Sequence, residues 1–299
     1  MIAAFRGLSA FPITPCSDDG VVNEAALSAM IERISGAQVN SIGLLGSTGT
    51  YAYLDREQRR RAVAAAAKVK GTVPLIVGVG AMRTDSVVAL ASDAADQGAD
   101  GLLLAPVSYT PLTDDEVFSL YHDVSTSTDL PICIYNNPST THFTFSTSLL
   151  ERLAALKGIA AVKMPPPTQG DLAEDLGRLR RALPDDFVIG YSGDWVISDA
   201  LLAGADAFYS ALAGTLPHTF GTLAKAASAK DVEVVNGLNR KLAPIWDLCR
   251  RYGSLRLAYA LNHRLGHTDA QLPRPLLPID DKGMQKLDGW LTENQDLAR

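Results

Sequence analysis

Eight short apolar runs recur along roughly the first 220 residues, each closed by turn residues and each followed by a helical pattern. They are Gly7–Phe11, Ser41–Leu45, Leu75–Val79, Gly101–Ala105, Ile132–Tyr135, Ala160–Lys163, Val188–Tyr191 and Ala207–Ala211. Several are apolar at nearly every position, as parallel strands covered on both faces are. Helices fit between them. One runs from Glu24 to Ser35, with Asn23 as its N-cap and Gly36 as its stop. Another starts at Asp55, whose partner Gln58 completes a capping-box pattern, and reaches about Lys70. Thr84 caps a helix to Gln97, and Thr113 with Glu116 opens one to about Ser125. Ser146 opens a helix ending near Gly158, and Asp171–Ala182 and Trp195–Ala203 follow. Gly98-Ala99-Asp100 and Gly204-Ala205-Asp206 stand at equivalent joints, where glycine ends a helix in a left-handed conformation.

This alternation predicts a (β/α)8 TIM barrel, an α/β fold. A doubly wound open sheet is the alternative, but no Gly-x-Gly-x-x-Gly turn follows the first run. Beyond about Thr219 strand signals fade. Leu216–Ala229, Asp231–Arg251, Ser254–Leu265 and Asp281–Leu291 read as helices, interrupted by Pro273, Pro275 and Pro278. The expected organisation is a barrel over 1–220 carrying the active site and a C-terminal helical extension over 221–299 packed on it.

Composition narrows the function. Hydrophobic residues at 47% and charged residues at 20% are ordinary globular usage, so a large core forms without staples. A net charge of -6 argues against a nucleic-acid partner. Arg59, Arg60 and Arg61 read as a solvated helix face. Cys16, Cys133 and Cys249 are too few and too scattered for a disulfide frame and lack zinc spacing. The first 15 residues lack a signal-peptide layout, and no apolar segment is long enough for a bilayer. The expectation is a cytoplasmic protein with no membrane partner.

The stretch Ile159 to Met164, followed by Pro165-Pro166-Pro167, carries a lone lysine at the end of an apolar strand. An ammonium held against apolar walls loses preference for its charged form, and a neutral amine attacks carbonyl carbon. Taken alone, the stretch also describes a lysine snorkelling to solvent. Its company gives it chemistry. In a barrel the active site lies at the C-terminal ends of the strands. There the second strand runs into Gly46-Ser47-Thr48-Gly49, whose hydroxyls and open backbone amides suit a carboxylate. The fourth leads to Ser108, Tyr109 and Thr110, and the fifth ends in Tyr135-Asn136-Asn137-Pro138. The seventh ends in Ser192-Gly193-Asp194, and Tyr209 lies on the eighth; Gly193 and Tyr209 are candidate substrate contacts. Tyr135 and Tyr109 offer phenols that pass a proton if Ser47 links them. An amine, a carboxylate cradle and a proton relay describe an enzyme acting on a 2-oxo acid.

The order Gly-Ser-Thr-Gly, Ser-Tyr, Tyr-Asn-x-Pro and a sixth-strand lysine resembles the dihydrodipicolinate synthase / N-acetylneuraminate lyase family of class I aldolases. The resemblance extends to Phe11-Pro12-Ile13-Thr14-Pro15 and the helical C-terminus. It implies that Lys163 forms the Schiff base, that Tyr135 shuttles protons, and that Ser47 and Thr48, with Gly49, hold the pyruvate carboxylate. It implies no cofactor beyond the covalent imine with Lys163, and no metal. Tyr109 matches the third relay member if the fourth strand is aligned without a gap, and a one-residue slip puts Ser108 there. In the family that tyrosine reaches a neighbouring subunit's site, so a homodimer or homotetramer is expected.

Three positions depart from the family. Thr50 stands where glutamate is usual after the turn, and Met164-Pro165-Pro166-Pro167 replaces a small, glycine-containing loop. Thr140 stands where the lysine-biosynthetic synthases carry an arginine for the second substrate's carboxylate, with His142 close by as a candidate pocket residue. Arg83 or Arg256 could supply that charge from elsewhere. The expected activity is that of a lyase on pyruvate or a pyruvate-derived 2-oxo acid. Sugar-acid aldolase or dehydratase chemistry, a true 4-hydroxy-tetrahydrodipicolinate synthase, and a non-catalytic 2-oxo acid binder are the alternatives. His263 and His267, four apart on an expected helix, read as packing rather than ligands.

Overall fold

The computed structural model describes residues 2–298; Met1 and Arg299, the outer ends of the two expected divisions, lie outside the described residues. Its strands are β1 (Gly7–Ala10), β2 (Ser41–Leu44), β3 (Leu75–Gly78), β4 (Gly101–Leu104), β5 (Ile132–Tyr135), β6 (Ile159–Met164), β7 (Val188–Ser192) and β8 (Ala207–Ser210). All pair in parallel with their sequence neighbours, and β1 pairs β8, so the sheet closes. The expected (β/α)8 barrel is what forms.

The helices between the strands are α1 (Glu24–Ser35), α2 (Arg56–Val69), α3 (Thr84–Asp96), α4 (Asp114–Ser127), α5 (Pro138–Thr141), α6 (Thr147–Ala154), α7 (Leu172–Ala182) and α8 (Ile197–Leu202). After β8 come α9 (Pro217–Ser228), α10 (Val232–Tyr252), α11 (Ser254–Arg264) and α12 (Asp281–Glu293). The division expected at 220/221 falls inside α9, which packs on α8 and β1 and so completes the barrel's outer ring. The helices α10 to α12 then pack on α9 and on one another.

Caps largely follow side-chain chemistry. The Thr113–Glu116 capping box forms, and Asn23, Ser146 and Asp171 each accept an amide of their own first turn. Asp55 does the same for Gln58 N, but the box there stays half made: Gln58 Oε1 instead accepts Val22 N–H at 2.9 Å. Thr84 is the first helical residue rather than the cap, which is Arg83. The region read as one helix from Ser146 stops at Ala154, and the short α5 before it was not foreseen. His267 lies beyond α11, so it and His263 do not share a helix; its Nδ1 meets Asn262 Oδ1 at 3.1 Å.

The glycine-to-aspartate joints prove to be one device. Asp100 N–H donates to Leu75 O and Asp100 Oδ2 accepts from Leu75 N, both at 2.8 Å. Asp206 repeats this with Ile189 at 2.9 Å each way. Asn40 does it with Leu8, at 2.8 and 2.9 Å. Each side chain thus extends strand pairing below the barrel by one rung. This pins the register that sets which side chains reach the top.

Two cores result. The larger lies between sheet and helices. The inner one fills the barrel with Phe5, Phe11, Leu103, Cys133, Tyr135 and Tyr209. Among the described residues no helix is long and apolar enough to cross a membrane.

Candidate active site

Lys163 is the last inward-facing residue of β6, in register with Tyr135 on β5 and Gly190 on β7. It is 5% exposed. Its Nζ lies 3.9 Å from the centre of the Phe11 ring, 4.3 Å from that of Tyr135 and 5.6 Å from that of Tyr209. Glycines make room for these rings. A Cβ on Gly43 or Gly46 would fall 2.2 or 2.6 Å from Phe11, and one on Gly190 2.6 Å from Tyr209. Among the described residues Lys163 forms no ion pair with a carboxylate. Burial in this aromatic cage pulls its amine down to about 7, against the opposing pull of Cys133 and Asp194. Near neutral pH a large share of the side chain is therefore the nucleophilic free base.

Around the amine stand the candidate relay groups. Ser47 Oγ and Tyr135 Oη are 3.3 Å apart. Asn137 Nδ2 donates to Tyr135 Oη at 3.0 Å and lies 3.4 Å from Ser47 Oγ. Burial raises the Tyr135 phenol above its ordinary range, while the bonds from Ser47 and Asn137 work the other way. Asn137 had no role in the sequence reading beyond its place in Tyr-Asn-x-Pro. Nothing in a linear pattern shows that the residue two after an inward-facing tyrosine turns back onto its hydroxyl.

The turn after β2 is held tightly. Leu45 and Thr50 flank it with positive φ values of 55° and 53°, conformations that cost non-glycine residues energy and concentrate at functional sites. Gly49 packs on Leu45 and on Thr14 Oγ1, where a Cβ would come within 3.0 and 3.2 Å. Thr48 is buried and Ser47 half-buried. Among the described residues the amides of Thr48 and Gly49 donate to no backbone carbonyl. The turn thus carries two hydroxyls and two amides without backbone acceptors, a set matched in kind to a carboxylate.

Gly193 has a φ of +91°, and a Cβ there would strike Pro166 at 2.8 Å, so the proline run and the β7 turn meet only because this residue is glycine. Tyr209 is a barrel-interior residue, 2% exposed, with its hydroxyl 3.5 Å from Cys133 Sγ. Asp194, 1% exposed, accepts from Ser210 Oγ at 2.5 Å, Leu212 N at 3.2 Å and Ser254 Oγ at 2.9 Å. Burial raises its pKa and these bonds oppose the rise. Among the described residues no three His, Cys, Asp or Glu side chains converge as a metal site.

The description Dihydrodipicolinate synthetase family belongs to a family model that matches residues 4–294. The chain belongs to this family. It is 30% identical over 281 residues to the 4-hydroxy-tetrahydrodipicolinate synthase of Salinibacter ruber, covering 93% of this chain and 91% of that one. It is 29% identical to the enzyme of the same name from Methanothrix thermoacetophila, with 98% of each covered. A crystal structure of dihydrodipicolinate synthase from Agrobacterium tumefaciens str. C58 superposes with a TM-score of 0.95 at 50% identity, covering 97% of this chain and 98% of that one. As a member of the dihydrodipicolinate synthetase family the chain is an enzyme, a lyase of the class I aldolase type.

Of the positions that depart from the family, Thr50 and Met164 are buried while Thr140 lies at the surface. Thr140 is exposed on α5, its hydroxyl donating to Asn137 O at 3.3 Å. His142 is exposed at the end of α5 with φ 55°. Both arginines that could replace the missing one have partners close by. Arg83 is held by Asp85 at 2.5 Å, and Arg256 donates to Leu277 O at 3.0 Å. Tyr109 is 92% exposed on the loop after β4, away from Tyr135 of its own chain. The neighbouring Ser108 Oγ donates to Thr110 O at 2.6 Å.

Proposed function

We propose that this chain forms a Schiff base between Lys163 and pyruvate or a pyruvate-derived 2-oxo acid, and makes or breaks a bond beside the former ketone. The observation that carries this reading is a buried lysine amine, pulled down to about 7, beside the Ser47–Tyr135 pair. In this reading Ser47, Thr48 and Gly49 hold the substrate carboxylate. The amine attacks the ketone carbon, and the ketone oxygen takes a proton from Tyr135. The Tyr135 phenolate takes a proton back from the attached nitrogen and passes it to the same oxygen, which leaves as water while the nitrogen lone pair forms the carbon–nitrogen double bond. This iminium accepts the electron pair released when a proton, or a carbon group leaving as a carbonyl compound, departs from the neighbouring carbon, and the enamine so formed can in turn expel a hydroxyl group from the carbon beyond. The covalent imine is the electron sink, so the reaction calls on no separate cofactor. A cytoplasmic setting and a homodimer or homotetramer, with Tyr109 entering a neighbour's site, complete the reading.

Borohydride reduction in the presence of pyruvate tests it. One peptide containing Lys163 gains the mass of the reduced adduct, and Lys163→Ala abolishes the gain. Alkylation of another lysine, or of none with any 2-oxo acid, overturns the mechanism and leaves a non-catalytic binder.

A further inference from the structure

Tyr135 carries one hydrogen bond with no part in the chemistry above. Asn137 Nδ2 donates to its hydroxyl at 3.0 Å, and the same amide lies 3.4 Å from Ser47 Oγ. At the other end of this amide Asn137 Oδ1 accepts from Ser139 Oγ at 2.8 Å. The Asn137 backbone is fixed too. Its carbonyl accepts the amides of Thr140 and Thr141, both at 3.0 Å, and the Thr141 hydroxyl at 3.0 Å. Among the described residues Ser47 and Asn137 are the side chains that hydrogen-bond the Tyr135 hydroxyl.

An amide N–H only donates. A bond it gives to oxygen strengthens when that oxygen becomes an anion. It therefore favours phenolate over phenol, against the buried setting that favours phenol. A carrier that takes protons as well as giving them must spend part of each cycle as phenolate. We propose that Asn137 is a positioning residue that stabilises the Tyr135 phenolate from within the same chain. The inference rests on Tyr135 being the proton carrier of the proposed reaction.

Turnover against pH for Asn137→Asp and Asn137→Leu tests the assignment, alongside borohydride trapping with pyruvate. Aspartate has the size of asparagine, still accepts from Ser139 and suits the start of a helix. A purely structural Asn137 therefore tolerates Asp and suffers from Leu. The proposal expects kcat to fall about tenfold to a hundredfold in Asn137→Leu, the worth of one bond to a charged group. It expects a larger fall in Asn137→Asp, because a second anion faces the phenolate. In both, the limb of the pH profile that rises with pH moves up by about one to two units. Trapping at Lys163 persists in both variants. Near-normal kcat and an unmoved limb in a folded Asn137→Asp overturn the assignment. If wild-type protein fails to trap pyruvate, the Schiff-base reading falls, and the assignment falls with it.

Discussion

Lys163 sits in surroundings hostile to charge. Its ordinary value of 10.5 drops to about 7 in the aromatic cage, chiefly through burial. Below pH 7 the ammonium is present in both folded and unfolded chains, and folding bears the whole cost of burying it. Between about 7 and 10.5 the unfolded chain holds a proton that the folded one has lost, so stability rises with pH across that window. Lys163→Met should therefore raise the thermal midpoint at pH 6, with a gain that shrinks as pH climbs towards 10. An equal gain at both pH values in calorimetry would contradict a buried, titrating amine. At Thr140 a hydroxyl replaces the guanidinium that would grip a carboxylate through two charge-assisted bonds. Bonds of that kind are worth about 1.5–3 kcal/mol, so selection for a dicarboxylate-forming partner weakens by about tenfold or more. Poor turnover of pyruvate with aspartate semialdehyde is expected, and better turnover of a hydroxylated 2-oxo acid. Steady-state assays with both classes decide it, since a strong preference for the semialdehyde means that Thr140 does not set specificity.

The decisive element is the turn after β2, and its shape is set from β3. Gly78 lies so close beneath it that a Cβ would meet Leu45 O at 1.9 Å. Leu45 bends there into positive φ, and Gly46 to Gly49 follow over the Phe11 ring and Thr14. A methyl group at position 78 must push the turn away. Such overpacking costs about 1–3 kcal/mol. Gly78→Ala should lower the thermal midpoint and weaken pyruvate binding more than it slows turnover at saturation, because the carboxylate cradle moves while Lys163 does not. An unchanged KM for pyruvate in a folded Gly78→Ala protein would detach this turn from substrate binding.

For the whole molecule, Asp194 and Tyr109 mark two kinds of joint. Asp194 fastens the end of β7 to the turn after β8 and to Ser254 at the head of α11. The C-terminal helices are thus hydrogen-bonded to the barrel mouth itself, with α9 packed on α8 and β1, α10 on α9, and α12 on α10 and α11. Tyr109, by contrast, has its ring almost wholly in solvent on the same face. In the proposed reading a phenol so placed serves a second copy. Mixing inactive Tyr109→Phe chains with inactive Lys163→Ala chains should restore part of the activity, since a hybrid assembly holds one site with both groups intact. A fully active monomer in ultracentrifugation would leave Tyr109 without a catalytic part.

The alternation of apolar runs and helical patterns was enough to predict eight strands in their order, nearly to their ends. Fully buried parallel strands leave a continuous apolar signal, and helix caps leave a local polar one. The run ending in Lys163 and the motifs at the strand ends likewise named Ser47, Tyr135 and Lys163, which the structure brings together, because strand order fixes which end each motif reaches. Contacts between distant residues were not legible. Gln58 left its capping box for Val22, and the first turn of α3 started one residue earlier than its threonine suggested. The half-turn Pro138–Thr141 turned Asn137 back onto Tyr135, and barrel closure put Phe11 over Gly43 and Gly46. Local chemistry determines which elements form. The closeness of backbones in the closed barrel decides where a hydroxyl, an amide and an amine meet, and burial there lowers the lysine's pKa.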